Sequence, residues 1–205
     1  NWKVSQGSGG ATYLVKRFNI PKTSVADGPC GVRWGSPTVW YPSGSLIAST
    51  WDKEIVKMVG TDIGDDCVSL GIDVILGPGM NVQRSVLGGR NFEYYSEDPY
   101  LTGMIASAYT DGVQSTGTGV SAKHYAVNNQ ETSRGSVSYE VTERALRKIY
   151  LRGFGYLVRN SDPYTIMSSY NKVNGTYSSV NEDLLSILID EFGFKGYVMS
   201  DWGAG

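Results

Sequence analysis

The run Gly196-Tyr197-Val198-Met199-Ser200-Asp201-Trp202-Gly203 delivers one carboxylate and one indole to the end of a short apolar stretch flanked by glycine. Apolar runs of this kind read as buried parallel strands, and in parallel barrels chemistry collects where the strands end. An aspartate there, beside an aromatic platform, suits a nucleophile working on a sugar ring. Four earlier runs end in a similar way. Residues 24–26 lead into Asp27, residues 72–76 into a glycine-rich loop that carries Arg90, residues 120–122 into Lys123 and His124, and residues 164–167 into Ser168, Ser169 and Tyr170. The strand-end set is therefore Asp27, Arg90, Lys123, His124, Met167, Tyr170, Asp201 and Trp202. Carboxylates and cations can bond a ring of hydroxyls while aromatic faces cover its apolar side. Lys123 or Arg90 close to Asp201 would favour its charged form, as a nucleophile requires.

Each residue also has a purely structural reading. Asp27 can brace the turn before Gly28-Pro29, and His124, the single histidine, can be a satisfied core group. Met167 can be packing and Tyr170 a hydrogen-bonded core tyrosine. Glu93, Glu97, Asp98 and Glu131 compete with Asp201 as candidate carboxylates, although Glu97 and Asp98 read as first-turn helix acids and Glu131 as a loop buttress.

Helical patterns lie between the runs. Trp51, Ile55, Met58, Val59, Ile63, Cys67 and Leu70 form one apolar stripe, with Ser49 or Thr50 as the expected start. A second helix is expected to begin near residues 96–99, with Ser96 as cap and Pro99 in an early position, and to stop at Gly117. A third is expected over residues 142–158 and a fourth over residues 181–192, ended by Gly193. Alternating strands and helices imply an α/β fold with a parallel sheet under helical cover. An open doubly wound sheet and a closed barrel both satisfy this pattern. The barrel is favoured, because polar groups at nearly every strand end would converge on one mouth, whereas an open sheet gathers its ligands at one switch point. No Gly-x-Gly-x-x-Gly follows the first run and no phosphate loop is present, which disfavours a nucleotide cofactor. A full barrel needs about 250 residues and eight units. About five are visible, so an incomplete (β/α)8 TIM-like barrel is expected.

Composition narrows the function further. The chain has 205 residues, with 18 basic and 20 acidic side chains that are scattered rather than clustered, which argues against nucleic acid as a partner. No run reaches the ~18 apolar residues of a membrane span. Cys30 and Cys67 match no metal spacing and read as free thiols, and with one histidine no metal site is expected. No leader peptide opens the chain, but the beginning also reads as truncated, so secreted, periplasmic and cytoplasmic locations all stay open.

Several long motifs, in order, carry a resemblance. They are Asp27-Gly28-Pro29, residues 77–81 (GPGMN), residues 88–101 (GGRNFEYYSEDPYL), residues 123–131 (KHYAVNNQE), residues 143–147 (ERALR), residues 167–171 (MSSYN) and residues 200–204 (SDWGA). The chain closely resembles glycoside hydrolase family 3 in its β-glucosidase branch, from about Val25 to its end. The resemblance implies that residues 1–205 are part of the family's N-terminal barrel domain, without the second α/β domain that follows it. It also implies Asp201 as nucleophile of a retaining mechanism, and a terminal sugar held by Asp27, Arg90, Lys123 and His124 in a pocket lined by Met167, Tyr170 and Trp202. The expected reaction releases β-D-glucose from the non-reducing end of β-glucosides or cello-oligosaccharides, without a cofactor. The family's acid/base glutamate would lie in the second domain, beyond this chain, so the isolated polypeptide is expected to be inactive or a sugar-binding module. The loop at residues 123–128 has no second histidine, unlike the N-acetylglucosaminidase branch. Trp202 stands where xylosidase-type members often carry cysteine, although a β-xylosidase or mixed specificity remains the alternative.

Overall fold

The computed structural model describes residues 9–33 and 38–204. Its elements run in the order β1 (Gly10–Ala11), β2 (Ser24–Asp27), α1 (Gly44–Ala48), α2 (Lys53–Leu70), β3 (Val74–Leu76), α3 (Pro99–Ser115) and β4 (Gly119–Tyr125), followed by β5 (Ser138–Tyr139), α4 (Glu143–Ala145), α5 (Arg152–Ser161), β6 (Thr165–Ser168), β7 (Lys172–Val173), β8 (Thr176–Tyr177), α6 (Glu182–Ser186) and β9 (Tyr197–Ser200). Single π-helical turns continue α4 over Leu146–Tyr150 and α6 over Ile187–Glu191.

The five expected strands are β2, β3, β4, β6 and β9. They lie side by side in chain order, and every neighbouring pair is parallel. A doubly wound sheet reverses its strand order at a switch point. None exists among these strands, so the sheet is the wall of an incomplete (β/α)8-type barrel. Alternation decides which side chains face which way. Ala122, Ile166 and Val198 stand in register and pack with the helices, alongside Ala26, Ile75 and Val120. Lys123, Met167 and Met199 also stand in register, one residue further on, and so face the barrel interior.

Outside the wall, α2 crosses α3 at very short range. A Cβ added at Gly60 would stand 2.5 Å from the Tyr109 carbonyl, and one at Gly112 would stand 2.2 Å from the Lys57 carbonyl. Side-chain-free positions let the two backbones touch and seal Val56, Ile63, Ile105, Tyr109 and Val113 beneath them.

Helix starts differ from the expectation in one consistent way. Asp52 caps α2, accepting from the Glu54 and Ile55 amides, and Asp98 caps α3, accepting from Tyr100 and Leu101. The Thr50 and Ser96 hydroxyls instead accept from the backbone amides of Asp52 and Asp98, just ahead of each helix. Two features were not expected. The two-residue β1 adds antiparallel to the edge of β2, and β5, β7 and β8 form a separate three-stranded sheet.

Candidate active site

Four strand ends and two loops meet at a cavity of about 320 Å³. That lies near the lower end of the about 300–1,000 Å³ typical of small-molecule sites. Asp27 is the last residue of β2, and the chain turns away at once. Gly28 has φ 141°, and a Cβ there would fall 1.8 Å from the Gly31 carbonyl, so the tight turn requires glycine. Lys123 sits near the end of β4 with its Nζ 3.5 Å from Asp27 Oδ1, tying the two strand ends together. The pairing of β4 with β6 slips between Lys123 and Tyr125. Such a bulge re-aims the extra residue, and here His124 joins Lys123 in lining the cavity.

Arg90 is held on the long loop after β3 in an ion pair with Glu93. The loop is pinned beneath them, because Gln83 Nε2 donates to the Asn91 and Tyr94 carbonyls and Ser45 Oγ to that of Asn91. Arg134, on the loop after β4, donates to Glu131 at 2.7 Å and lies 4.4 Å from the centre of the Tyr170 ring. Asp201 follows β9, with its backbone amide bonded to the Ser168 carbonyl at 3.3 Å. Its Oδ1 accepts from the Trp202 amide at 2.9 Å, whereas Oδ2 is buried with no described partner within hydrogen-bond distance. His124 Nε2 stands 3.6 Å from Oδ2, too far for a direct bond.

Of the eight strand-end residues, seven line this one cavity. Met167 does not. It faces the barrel interior with Leu76 and Met199, around a separate apolar cavity of about 210 Å³ that Trp202 also borders.

Electrostatics separate the four carboxylates that line the cavity. Asp27 is paired with Lys123, Glu93 with Arg90 and Glu131 with Arg134. Asp201 has no cation within ion-pair distance among the described residues except His124, which counts only if protonated. Burial above all, then the nearby Arg90, Lys123 and Arg134, pushes the pKa of His124 well below its usual value, so its imidazole is neutral. Burial likewise raises the Asp201 carboxyl, against opposing pulls from the Trp202 amide, Lys123, Tyr170 and Arg90. Burial lowers the Lys123 ammonium, while Glu93, Asp27 and Asp201 work to keep it charged. Among the described residues no group of side chains could hold a metal ion, and no helix is long and apolar enough to cross a membrane.

Several residues escaped the strand-end reading. Arg134 lies far along the loop after β4, well past the strand end itself. Tyr94, Asn81 and Asn128 act behind His124 rather than in the cavity. Glu93 stood only as a rival carboxylate, although its three-residue spacing from Arg90 was a usable signal.

In a parallel barrel the functional site sits at the C-terminal ends of the strands, which is where the paired charges and the one carboxylate without a cation gather here. The chain belongs to glycosyl hydrolase family 3: the model of that family's N terminal domain matches residues 12–204. It is 44% identical to an exo-α-(1→6)-L-arabinopyranosidase of Bifidobacterium longum, over 98% of this chain and 29% of that protein. It is 43% identical to the thermostable β-glucosidase B of Acetivibrio thermocellus, over 94% of this chain and 27% of the relative. Among solved structures, β-glucosidase 3B from Thermotoga neapolitana in complex with glucose superposes with a TM-score of 0.95 at 48% identity, covering 97% of this chain and 29% of its own. The chain thus spans less than a third of the length of these relatives.

Proposed function

We propose that this chain is the barrel portion of a longer retaining glycoside hydrolase that removes terminal β-D-glucose from β-glucosides by double displacement. The observation that carries the reading is the charge pairing around the cavity. The other three carboxylates each have a cation, whereas Asp201 has only the neutral His124 within ion-pair distance. Its Oδ2 makes no hydrogen bond among the described residues, although the Tyr170 hydroxyl is near enough to favour its charge. A nucleophile needs an uncommitted oxygen aimed at the anomeric carbon. Asp201 Oδ2 attacks that carbon, the aglycone oxygen leaves with a proton, and water later releases the sugar from the glycosyl-enzyme. Asp27, Arg90, Lys123 and His124 bond the sugar hydroxyls, while Tyr170 and Trp202 close the pocket.

The acid/base is a second carboxylate about 5–5.5 Å from the nucleophile. Asp27, Glu93 and Glu131 are each committed to an ion pair, with Lys123, Arg90 and Arg134 respectively. As the resemblance to the family implies, the acid/base would come from a second α/β domain, and the barrel portion alone would not turn over. The similarity to β-glucosidases, one of them a glucose complex, supports this reading.

A second reading, an α-L-arabinopyranosidase, is favoured by the similarity to the Bifidobacterium longum enzyme. An α-L-arabinopyranoside and a β-D-glucopyranoside both carry an equatorial anomeric bond. They differ at C4 and in the hydroxymethyl group, so the same nucleophile serves either sugar.

The test is to incubate the full-length protein with slow-turnover fluorinated β-glucoside and α-L-arabinopyranoside reagents, then digest it and read the labelled peptide by mass spectrometry. The expected outcome is one sugar on Asp201, from the glucoside in preference. A label on another carboxylate removes Asp201 from the chemistry, and preferential labelling by the pentoside selects the second reading.

A further inference from the structure

His124 is held from behind by a set of hydrogen bonds whose donors and acceptors can be counted, in which Asn128 Oδ1 is left buried without a described partner. Asn81 is oriented by two backbone groups: its Nδ2 donates to the His124 carbonyl at 2.8 Å, and its Oδ1 accepts from the His124 amide at 2.8 Å. That same Oδ1, which can only accept, stands 3.2 Å from His124 Nδ1. Asn128 is oriented as firmly, because its Nδ2 lies 3.2 Å from Glu131 Oε1 and a carboxylate oxygen calls for a donor. The other hydrogen of that Nδ2 goes to the Tyr94 hydroxyl oxygen at 2.9 Å. Tyr94 is buried, and burial raises its hydroxyl pKa, so its own hydrogen stays on and needs an acceptor. The partner left is His124 Nδ1, 3.1 Å away.

Two tautomers of the neutral imidazole compete. With the hydrogen on Nδ1, the ring donates to Asn81 Oδ1, but the buried Tyr94 hydrogen has no acceptor. Nε2 then turns a lone pair toward Asp201 Oδ2 at 3.6 Å. With the hydrogen on Nε2, Tyr94 donates to Nδ1 and Nε2–H faces Asp201 Oδ2, a buried carboxylate oxygen without a described partner. The Asn81 contact is the single unfavourable pair in this second arrangement, against one stranded donor and one acceptor–acceptor contact in the first.

We propose that Tyr94, oriented by Asn128, is a positioning residue that locks His124 as the Nε2–H tautomer, a fixed hydrogen-bond donor between the sugar and Asp201. Glu131 extends the line, holding Asn128 on one oxygen and Arg134 on the other. The loop bearing Arg134 is thus linked by hydrogen bonds to His124 through Asn128 and Tyr94, and His124 Nε2 ends that line 3.6 Å short of Asp201 Oδ2. The catalytic part of this inference rests on the function proposed above, whereas the tautomer does not.

The test uses the full-length protein labelled with 15N-histidine, with the His124 ring signals assigned by their loss in His124→Asn. The expected wild-type spectrum has a protonated Nε2 and an unprotonated Nδ1. Tyr94→Phe keeps the ring and its packing but removes the donor, and should move the hydrogen to Nδ1. kcat/KM for an aryl β-glucoside should then fall roughly tenfold, the effect of about one lost hydrogen bond. A wild-type ring protonated on Nδ1 overturns the proposal without any variant, as does a Tyr94→Phe spectrum identical to wild type. The expected tautomers in a protein that hydrolyses neither glucosides nor arabinopyranosides would sink the functional reading and leave the positioning role standing.

Discussion

Replacing Asp201 by asparagine should abolish turnover and, at neutral pH, make the fold more stable. Asp201 is 5% exposed, and its Oδ2 has no described partner. Burial is the largest influence on the carboxyl and raises its pKa. The folded state therefore holds the proton more tightly than the unfolded chain. Below the unfolded pKa the group costs the fold nothing, and that advantage is lost as pH rises through the raised folded pKa, leaving a buried charge that opposes folding. Asparagine carries no charge, so the stability gap between variant and wild type should be small in acid and widen to a plateau near neutral pH. A buried, unpaired acceptor costs about 1–3 kcal/mol. Oδ1 is bonded by the Trp202 amide, and Lys123 and Arg90 favour the charged form, so the low end applies, about 1 kcal/mol. In a unit of about 150–250 residues that amounts to roughly 2–4 °C in Tm. The assay is thermal unfolding of both full-length proteins from about pH 4 to about pH 8, beside hydrolysis of an aryl β-glucoside, which should drop at least about a thousandfold. A variant less stable than wild type throughout, or an offset that does not change with pH, refutes the argument from burial. Near-normal turnover refutes the nucleophile.

Two further substitutions probe the scaffold. Gly60→Ala drives a methyl to 2.5 Å from the Tyr109 carbonyl and must push α2 off α3. Urea unfolding should show a loss of about 1–3 kcal/mol with KM unchanged, and a neutral result would mean that the crossing relaxes freely. Glu93→Gln keeps the shape but leaves Arg90, whose side chain is 18% exposed, without its counter-charge. Breaking such a pair costs about 3 kcal/mol, and KM for the glucoside should rise as Arg90 loses its anchor. An unchanged KM would detach Glu93 from sugar binding.

The barrel wall was legible because a buried parallel strand is apolar on both faces and short. Val74–Leu76 and Thr165–Ser168 stand out from polar surroundings for that reason. The helix over Lys53–Leu70 was legible from apolar residues at helical steps. Its buried face, however, is Val56, Gly60, Ile63, Gly64 and Cys67, while Trp51, Ile55 and Met58 of the expected stripe are exposed. β1 was not, since two residues beginning with a glycine have no pattern and form a strand only by pairing with β2. The sheet of β5, β7 and β8 escaped for the same reason, as each strand is two residues long and set by pairing alone. The π-helical turns at Leu146–Tyr150 and Ile187–Glu191 kept the apolar spacing of ordinary helices, so residues 142–158 and 181–192 read as unbroken.

The site divides along the same line. Groups that sit at a strand end were readable from local order, and Asp27, Lys123, His124, Tyr170 and Asp201 all reach the cavity. Met167 fails the rule because alternation, not proximity to the strand end, decides the face a side chain takes. It stands in register with Lys123 and Met199, and only the long Lys123 side chain extends as far as the mouth. Charge allotment lies further from local order. Arg90–Glu93 and Arg134–Glu131 are pairs three residues apart that a linear scan can find, but Lys123–Asp27 joins strands 96 residues apart. Only when all three pairs are counted does Asp201 stand out as the carboxylate without a cation. The proposed nucleophile is thus picked out by what its neighbours already hold, a property of the assembled barrel mouth that no single motif contains.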